Sequence, residues 1–546
     1  MSGFCGILLE KGRLDKDLII KMRDQMFQRG PDEGTCLLMD NVGLGFRRLK
    51  SIDLFTGNQP IFNEDKNICL FCNGTIYNFL ALRKELEDRG HHFSSRGDLE
   101  VIVHLYEERG TGCLEALRGM FAFVLWDGKK KRLFAARDRF GIKPFYYLAR
   151  NGTLSFASEI KALLELPSYS TEVNRNAFLD YLTFQYVPET ETIFSGIYRL
   201  PPAHFFLKEV GRPPEISRYW QIHFQSSAES EDYYLEGIRE KLKESVELHL
   251  HSEVPRGTFL SSGVDSALIA ALARKQGPIS TFSVGYSEER YSELKEAGEI
   301  AKYLGTDHEE YIISPNEFLQ NLPRLIWHFD EPVADPAAIS LFFAARLAKK
   351  KVTVILSGEG ADEIFGGYGI YREPQALAFF HALPSPLRKT LHLMGKVLPP
   401  GIPGKNYLAR ANRPLEKRFL GNAYIFTPQE KSIITTLKKE LSPYRVTEPL
   451  YRKSFHLDDV TRMQYIDLHT WMPGDILAKA DKMTMASSLE LRSPYLDHHV
   501  FEFAATIPLK YKIQGKQTKV ALRKAFEGIL PPEMLNRPKR GFPVPT

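Results

Sequence analysis

Two short stretches combine small residues with hydroxyl and acidic side chains in a way that suits phosphate chemistry. The first is Leu260-Ser261-Ser262-Gly263-Val264-Asp265-Ser266, set between a run fit for a strand and one fit for a helix. Small residues at such a junction let backbone N–H groups approach an anion at a helix N-terminus, and Ser261 and Ser266 add hydroxyl donors. Asp265 would repel phosphate unless a divalent cation stood between them, which points to Mg2+. Alone, the stretch reads equally as a Ser/Gly N-cap turn. The second stretch, Ser357-Gly358-Glu359-Gly360-Ala361-Asp362-Glu363, follows an apolar run over 352–356. Two such loops at strand ends would meet at the carboxyl edge of a parallel sheet, where open α/β sheets bind ligands. A pair of solvated acidic turns is the weaker reading.

The elements that carry these loops follow from apolar periodicity. Leu235, Ile238, Leu242, Val246 and Leu250 recur at helical spacing. After them, strands over 257–260, 280–285 and 351–356 alternate with helices over 267–274 and 293–304, which predicts a doubly wound parallel sheet. From about 375 the texture is largely helical. The first two hundred residues differ. Short apolar strands over 68–72, 121–126 and 132–136 lie between turn signals such as Asp127-Gly128 and Asn151-Gly152. Helices are expected over 76–89 and 99–108, giving an α+β domain of stacked sheets. Gly211-Arg212-Pro213-Pro214 and the polar stretch 226–231 read as a linker. The expected division is 1–208, linker 209–231, and 232–546.

The chain has 546 residues, 43% hydrophobic and 25% charged, so each domain can bury a core and disorder is not expected. A net charge of +5 from 72 basic and 67 acidic residues is too balanced for a nucleic-acid surface. The five cysteines, an odd number, form a poor disulfide framework and fit a reducing compartment. No basic, apolar leader opens the chain and no apolar run reaches ~18 residues, so no membrane partner and a cytoplasmic location are expected. Cys69 and Cys72 have metal-like spacing without a second pair nearby, and read as core. His91-His92, His249 with His251, and His498-His499 read as surface or capping residues.

Both loops resemble those of the asparagine synthetase family. Other stretches resemble that family too: Asp330-Glu331-Pro332 with Asp335, Asp481-Lys482-Met483, Glu490 through Asp497, and Arg537-Pro538-Lys539-Arg540-Gly541-Phe542. In the first half, Arg29-Gly30-Pro31-Asp32, Arg48-Leu49, Asn73-Gly74, Asp138-Arg139-Phe140-Gly141 and Ala157-Ser158-Glu159 are similar to the family's class II glutamine amidotransferase domain. The resemblance covers nearly the whole chain. It implies an N-terminal nucleophile-hydrolase-like α+β sandwich followed by an ATP-pyrophosphatase-type α/β domain.

The implied reaction is attack of an aspartate carboxylate on the α-phosphate of ATP, then displacement of AMP by ammonia from glutamine or solution. By resemblance, Asp265 and Asp362 would hold Mg2+. Leu260, Ser261, Ser262, Gly263, Ser266, Val284, Ser357 and Gly358 would bind ATP and pyrophosphate. Glu359 would engage the amino-acid substrate, and Lys539 would neutralise charge at the α-phosphate. A ligase for another carboxylate and a non-catalytic nucleotide-binding protein are the competing readings; a homodimer is left open.

For glutamine, the resemblance implies Arg48 for the carboxylate, Asp98 for the amino group, and Asn73 with Gly74 for the oxyanion. The nucleophile position, usually cysteine, holds Ser2. Cys5 reads as a core residue or, after removal of four residues, as an N-terminal nucleophile. Gln28 and Thr75 also depart from the family's usual His and Glu. Weak or absent glutaminase activity is therefore expected. Ser262 replaces a usual glycine; a positive φ there would cost about 1–2 kcal/mol. Family members often continue beyond the last motif, so the end at Thr546 reads as truncation or a dispensable tail.

Overall fold

The computed structural model describes residues 2–188, 190–399, 402, 404–410, 412–436, 441–538 and 544–545. Its first half contains twelve strands: β1 Ser2–Leu9, β2 Glu33–Met39, β3 Val42–Arg48, β4 Ile61–Phe62, β5 Ile68–Ile76, β6 Gly119–Asp127, β7 Arg132–Arg137, β8 Tyr146–Arg150, β9 Thr153–Ala157, β10 Tyr198–Arg199, β11 His204–Glu209 and β12 Glu215–Arg218. They form two six-stranded antiparallel sheets, ordered β10-β8-β9-β1-β3-β2 and β12-β11-β7-β6-β5-β4. Phe4, Leu8 and Phe46 of one sheet meet Phe71, Val124 and Ala135 of the other in the sandwich core.

The outer faces are covered as well. The helix Lys16–Asp24 packs Ile19 and Met22 on Cys5 and Ile7. Helices Phe79–Asp88 and Glu100–Arg109 pack on Cys72, Phe121 and Phe123. Central strands buried on both faces carry continuous apolar runs rather than alternation, which is why β5 and β6 read so plainly in the sequence. Cys69 and Cys72 fall in different apolar layers on either side of β5, so they share no ion. The helix expected over 76–89 starts later because Asn73 to Ile76 continue β5 beside β6.

The second half is built on β13 Arg256–Phe259, β14 Ser280–Tyr286, β15 Asp307–Ile313, β16 Val354–Leu356 and β17 Glu490–Arg492, all parallel and ordered β15-β14-β13-β16-β17. The chain builds outward from β13 to β15, then reverses through β16 to β17. The switch lies between β13 and β16, the place where such sheets open a crevice. β15 escaped the sequence reading because it is an exposed edge strand, Asp307-His308-Glu309-Glu310-Tyr311, whose charges deter edge pairing. Within 209–231, β12 pairs with β11. Among the described residues no helix is long and apolar enough to cross a membrane.

The two halves are joined by buried ions. Arg29, 1% exposed, donates to Asp481 at 2.7 and 3.1 Å and to Glu159 at 3.2 Å. Lys143 lies 3.3 Å from Asp481, Lys161 bridges Glu159 and Asp330 at 2.6 and 2.7 Å, and Lys482 meets Asp330 at 2.6 Å. Motifs whose purpose the sequence left blank thus meet at the interface. Replacing one member strands its partners in low dielectric, a loss of about 3–5 kcal/mol. Arg29→Met is expected at the lower end, since Lys143 and Lys161 remain. Urea unfolding measures it, and adding Asp481→Asn recovers part of the loss.

His249, read as a surface or capping residue, ends its helix but is 2% exposed. Its ring lies 3.8 Å from that of Tyr77, its Nδ1 is 2.7 Å from Ser245 O, and burial lowers its pKa to about 3, so it is neutral. The helix Glu231–His249 carries it inward against the first domain.

Candidate active sites

In the first half, β1 and β5 bring Ser2 and Asn73 together. The Ser2 N–H donates to Asn73 Oδ1 at 3.0 Å. That contact fixes the amide, leaving Asn73 Nδ2 buried without a hydrogen bond. It is a donor free to meet an oxyanion. A side chain at Gly74 would run into Met120 and Phe121 of β6, so only glycine permits this strand contact.

Ser2, Arg48, Gly74 and Asp98 line one cavity with Ser51, Ser95 and Gly97. Its volume is about 30 Å3, enough to admit water. Arg48 is oriented by Asn58, by Asp53 O at 2.5 Å and by Glu33 at 3.4 Å. Asp98 accepts from Ile76 N at 2.8 Å.

Burial pushes the Asp98 pKa up to about 6 despite that N–H. Were Asp98 to hold the glutamine α-ammonium, as the family resemblance implies, its carboxylate form would do so, and affinity would be full above that pH and lost as pH falls through about 6. Calorimetric titration with glutamine is expected to show this dependence, and Asp98→Asn is expected to bind weakly with a flat profile over the same range.

One departure from the family pattern acquires a position here. Thr75 turns from the cavity and donates to Glu490 Oε1 of β17 at 3.1 Å. Glu490 also accepts from Arg492 Nε at 2.8 Å, and Arg492 O accepts from Ser357 N at 3.0 Å. Buried polar contacts therefore run from Thr75 on β5 through Glu490 and Arg492 to the second loop. Cys5 instead sits under the helix Lys16–Asp24, 0% exposed, with Sγ 3.8 Å from Ile19 O and its thiol pKa pushed up by burial. It packs as core, not as a nucleophile.

In the second half, the loops after β13 and β16 enclose a cleft of about 410 Å3. Leu260, Ser261, Gly263, Asp265, Ser266, Val284, Ser357, Gly358, Glu359 and Asp362 all line it. The helix Val264–Lys275 begins at Gly263 with no side-chain cap, so its first N–H groups are available to an anion. Ser266 Oγ braces the loop, accepting from Ser261 N at 3.0 Å and lying 2.9 Å from Ser261 Oγ. A Cβ on Gly358 would stand 3.0 Å from Ser266 N and from Asp265 Cβ, so glycine lets the two loops touch.

Ser262 is the exception among the expected ligands. It is 7% exposed and donates through N and Oγ to Glu293 Oε2 at 3.1 and 2.8 Å. It is not among the residues of positive φ, so the backbone cost foreseen for serine does not arise.

Asp265 and Asp362 converge on one cation, the Lys519 ammonium, at 2.5 and 2.6 Å. Asp265 Oδ1 is buried with no hydrogen bond. Two carboxylates aimed at one point, with an acceptor to spare, fit a Mg2+ ion bound with a nucleotide. Lys519 escaped the sequence reading. It holds the left-handed N-cap position, φ 55°, of the helix Val520–Ala525. A lysine at a helix start opposes the macrodipole, and that local misfit was the available signal.

Deeper in the cleft, Lys479 bonds Asp335, with Asp475 and Glu359 close enough to raise its pKa further. Asp475 is fully buried, and burial with the adjacent Asp335 and Glu359 charges raises its carboxyl pKa despite Lys479. Arg523, Arg537 and Pro538 complete the wall. Lys539 lies outside the described residues.

Comparison with known proteins agrees over both halves. Residues 1–220 match the family model described as a glutamine amidotransferase domain, and residues 237–546 match that of asparagine synthase. The chain is 44% identical to asparagine synthetase [glutamine-hydrolyzing] 1 of Bacillus subtilis (strain 168), covering all of this chain and 87% of the relative. Asparagine synthetase [glutamine-hydrolyzing] 3 of the same organism is 32% identical, over all of this chain and 87% of the relative. Amidase chyE of Penicillium rubens is 28% identical, over 96% of this chain and 84% of the relative.

Proposed function

We infer the reaction from one premise: this chain belongs to the glutamine-hydrolysing asparagine synthetase family. It is a carbon–nitrogen ligase that amidates aspartate to asparagine at the expense of ATP. The observation that carries the assignment to a site is the convergence of the loops after β13 and β16 with Lys519 on one cleft.

In our reading a carboxylate oxygen of aspartate attacks the α-phosphorus, and the bond to pyrophosphate breaks. Ammonia then attacks the acyl carbon, the bond to AMP breaks, and the nitrogen sheds a proton. The N–H groups at the start of the helix Val264–Lys275, with Ser261 and Ser266, cradle pyrophosphate. Leu260 and Val284 flank the base. Asp265 and Asp362 would hold Mg2+, which neutralises phosphate charge when bound. We propose that Lys519 meets the charge that builds on the leaving pyrophosphate, since it lies between Asp265 and Asp362 in the cleft. Glu359, beside Lys479 and Asp335, receives the amino-acid end of aspartate. For Lys539 we propose a place at the α-phosphate on its sequence motif alone.

The nitrogen is ammonia from solution or glutamine. Ser2 sets its backbone N–H on Asn73, a position suited to an N-terminal nucleophile whose nitrogen would become the α-amine once Met1 is removed, but a hydroxyl is the poorer nucleophile. We propose that ammonia-dependent synthesis is robust and glutamine-dependent synthesis slow, with 1–208 and 232–546 as the functional units. Pyrophosphate release with ATP, Mg2+ and aspartate tests this with ammonium or glutamine as nitrogen source. Rapid turnover with ammonium and little with glutamine is expected. Equal rates would overturn the glutaminase reading, and silence with both would overturn aspartate as the acceptor.

A further inference from the structure

A cluster of donors that neither site uses lies on the outer face of the first domain. Glu64 stands in the turn between β4 and β5, and His91 in the segment after the helix Phe79–Asp88. His104 and Glu107 lie one turn apart on the helix Glu100–Arg109. One donor atom from each lies within 4.8 Å of the other three. His104 Nδ1 is 3.2 Å from Glu107 Oε2 and 3.6 Å from Glu64 Oε2. His91 Nδ1 is 3.6 Å from Glu64 Oε1 and 3.8 Å from Glu107 Oε2. A tetrahedral ion with bonds of about 2.0–2.1 Å spaces its donors by about 3.3–3.4 Å, so these gaps close onto one centre with small movements.

The surroundings match a built site. Both imidazoles turn Nδ1 inward and present Nε2 to an outer carboxylate. His91 Nε2 is 3.1 Å from Glu108 Oε1, and His104 Nε2 is 3.7 Å from Glu100 Oε1. The His91 contact is a carboxylate–histidine pair of the kind that fixes tautomer and strengthens a metal ligand, and Glu100 stands near enough to serve His104 in the same way after a small shift. Glu107 Oε1 accepts from Asn63 Nδ2 at 2.8 Å, and Glu64 Oε1 accepts from His92 N at 3.0 Å, so both carboxylates are oriented. The His104 side chain is 0% exposed and its Nε2 is buried without a hydrogen bond. Withdrawal of charge through Nδ1 would draw that N–H onto Glu100. The donor set, two imidazoles and two carboxylates, suits a first-row divalent ion rather than Ca2+ or Mg2+.

We propose that Glu64, His91, His104 and Glu107 form a binding site for a divalent transition metal ion of the Zn2+ type. The site reaches the glutamine cavity through one residue. Glu100 accepts from Ser94 N and Ser95 N, each at 2.7 Å, and Ser95 lines that cavity.

Cobalt is the probe. Untagged full-length protein, stripped by chelator and dialysed, is titrated with Co2+ while visible absorption is followed. The strong bands of a four-coordinate nitrogen–oxygen site are expected to saturate at one ion per chain and to vanish on adding Zn2+. His91→Ala, at a partly exposed position, is expected to abolish the bands and lower affinity by more than ~100-fold, beyond the ~10–100-fold expected for the outer partner in Glu108→Gln. Circular dichroism checks that both variants keep the fold. Cobalt held at Asp265 and Asp362 would have oxygen ligands, weak absorption, and no dependence on His91. Absence of strong bands in the unmodified protein, or their survival in His91→Ala, would overturn the proposal and leave a proton-linked His–Glu cluster.

Discussion

Lys519→Met lowers the ammonium-dependent release of pyrophosphate by about 10²–10³-fold, the loss typical of one preorganised charge removed from a developing oxyanion. The reason lies in what it leaves behind. Lys519 is the partner of Asp265 at 2.5 Å and of Asp362 at 2.6 Å, with its own side chain only 3% exposed. Without it, two carboxylates face the cleft that must accept a polyanion. ATP affinity falls too, and higher Mg2+ restores part of the binding but not the rate, since a second ion cannot reproduce a positioned ammonium. Lys519→Arg keeps the charge and is expected to recover only part of the activity, because a guanidinium lacks the compact geometry that fits between two carboxylates. Glutamine hydrolysis, measured as glutamate release, stays unchanged in both variants. A near-normal rate for Lys519→Met would remove this residue from the mechanism.

Ser2→Cys has the opposite sign. It raises glutamate release from glutamine by at least ~10²-fold, because a thiol is intrinsically far more nucleophilic than a hydroxyl beside the same α-amine base. The rest of the machinery is already in place. Ser2 N contacts Asn73 Oδ1 at 3.0 Å, Asn73 Nδ2 awaits an acceptor, and Arg48 and Asp98 line the same cavity. Ammonium-dependent synthesis is unchanged, since Ser2 lies outside the nucleotide cleft. Ser2→Ala sets the baseline, expected to differ little from the unmodified enzyme. No gain from cysteine would shift the cause to the cavity itself, where Thr75 serves Glu490 instead of glutamine. Rapid hydrolysis by the unmodified protein, lost in Ser2→Ala, would overturn the reading of a weak nucleophile.

Much of the scaffold was legible because local physics decided it. The helix Glu231–His249 shows its apolar stripe at Ile238, Leu242 and Val246, and those residues are buried. β5 and β6 show continuous apolar runs, and both are covered on two faces. The turn after β13 was legible because a strand end, small residues and a helix start are contiguous in the chain, within seven residues. Cys5 was readable as core for the same reason: it lies inside an apolar strand.

Other features depend on partners distant in sequence. β17 is three residues long, too short for any period to register, and exists because β16 offers it an edge. His249 lies on the stripe of Leu242 and Val246, but its partner Tyr77 comes from the other domain. The role of Asp481 was equally hidden, since its cation comes from Arg29. Ser262 illustrates the reverse error, where a glycine-for-serine comparison suggested strain that the backbone does not have.

By itself, then, the amino-acid sequence determined the fold class of both halves and which residues stand in the two Ser/Gly/Asp loops, because these rest on residues near one another along the chain and on their intrinsic propensities; the family resemblance alone marked Ser2 as an altered nucleophile position. Only the tertiary structure decided that Lys519 joins Asp265 and Asp362, that Thr75 turns to Glu490, and that Glu64, His91, His104 and Glu107 share one point. Such contacts are set by how sheets and helices pack, and a side chain's charge or hydrogen-bond partner across that packing leaves no periodic trace in the sequence.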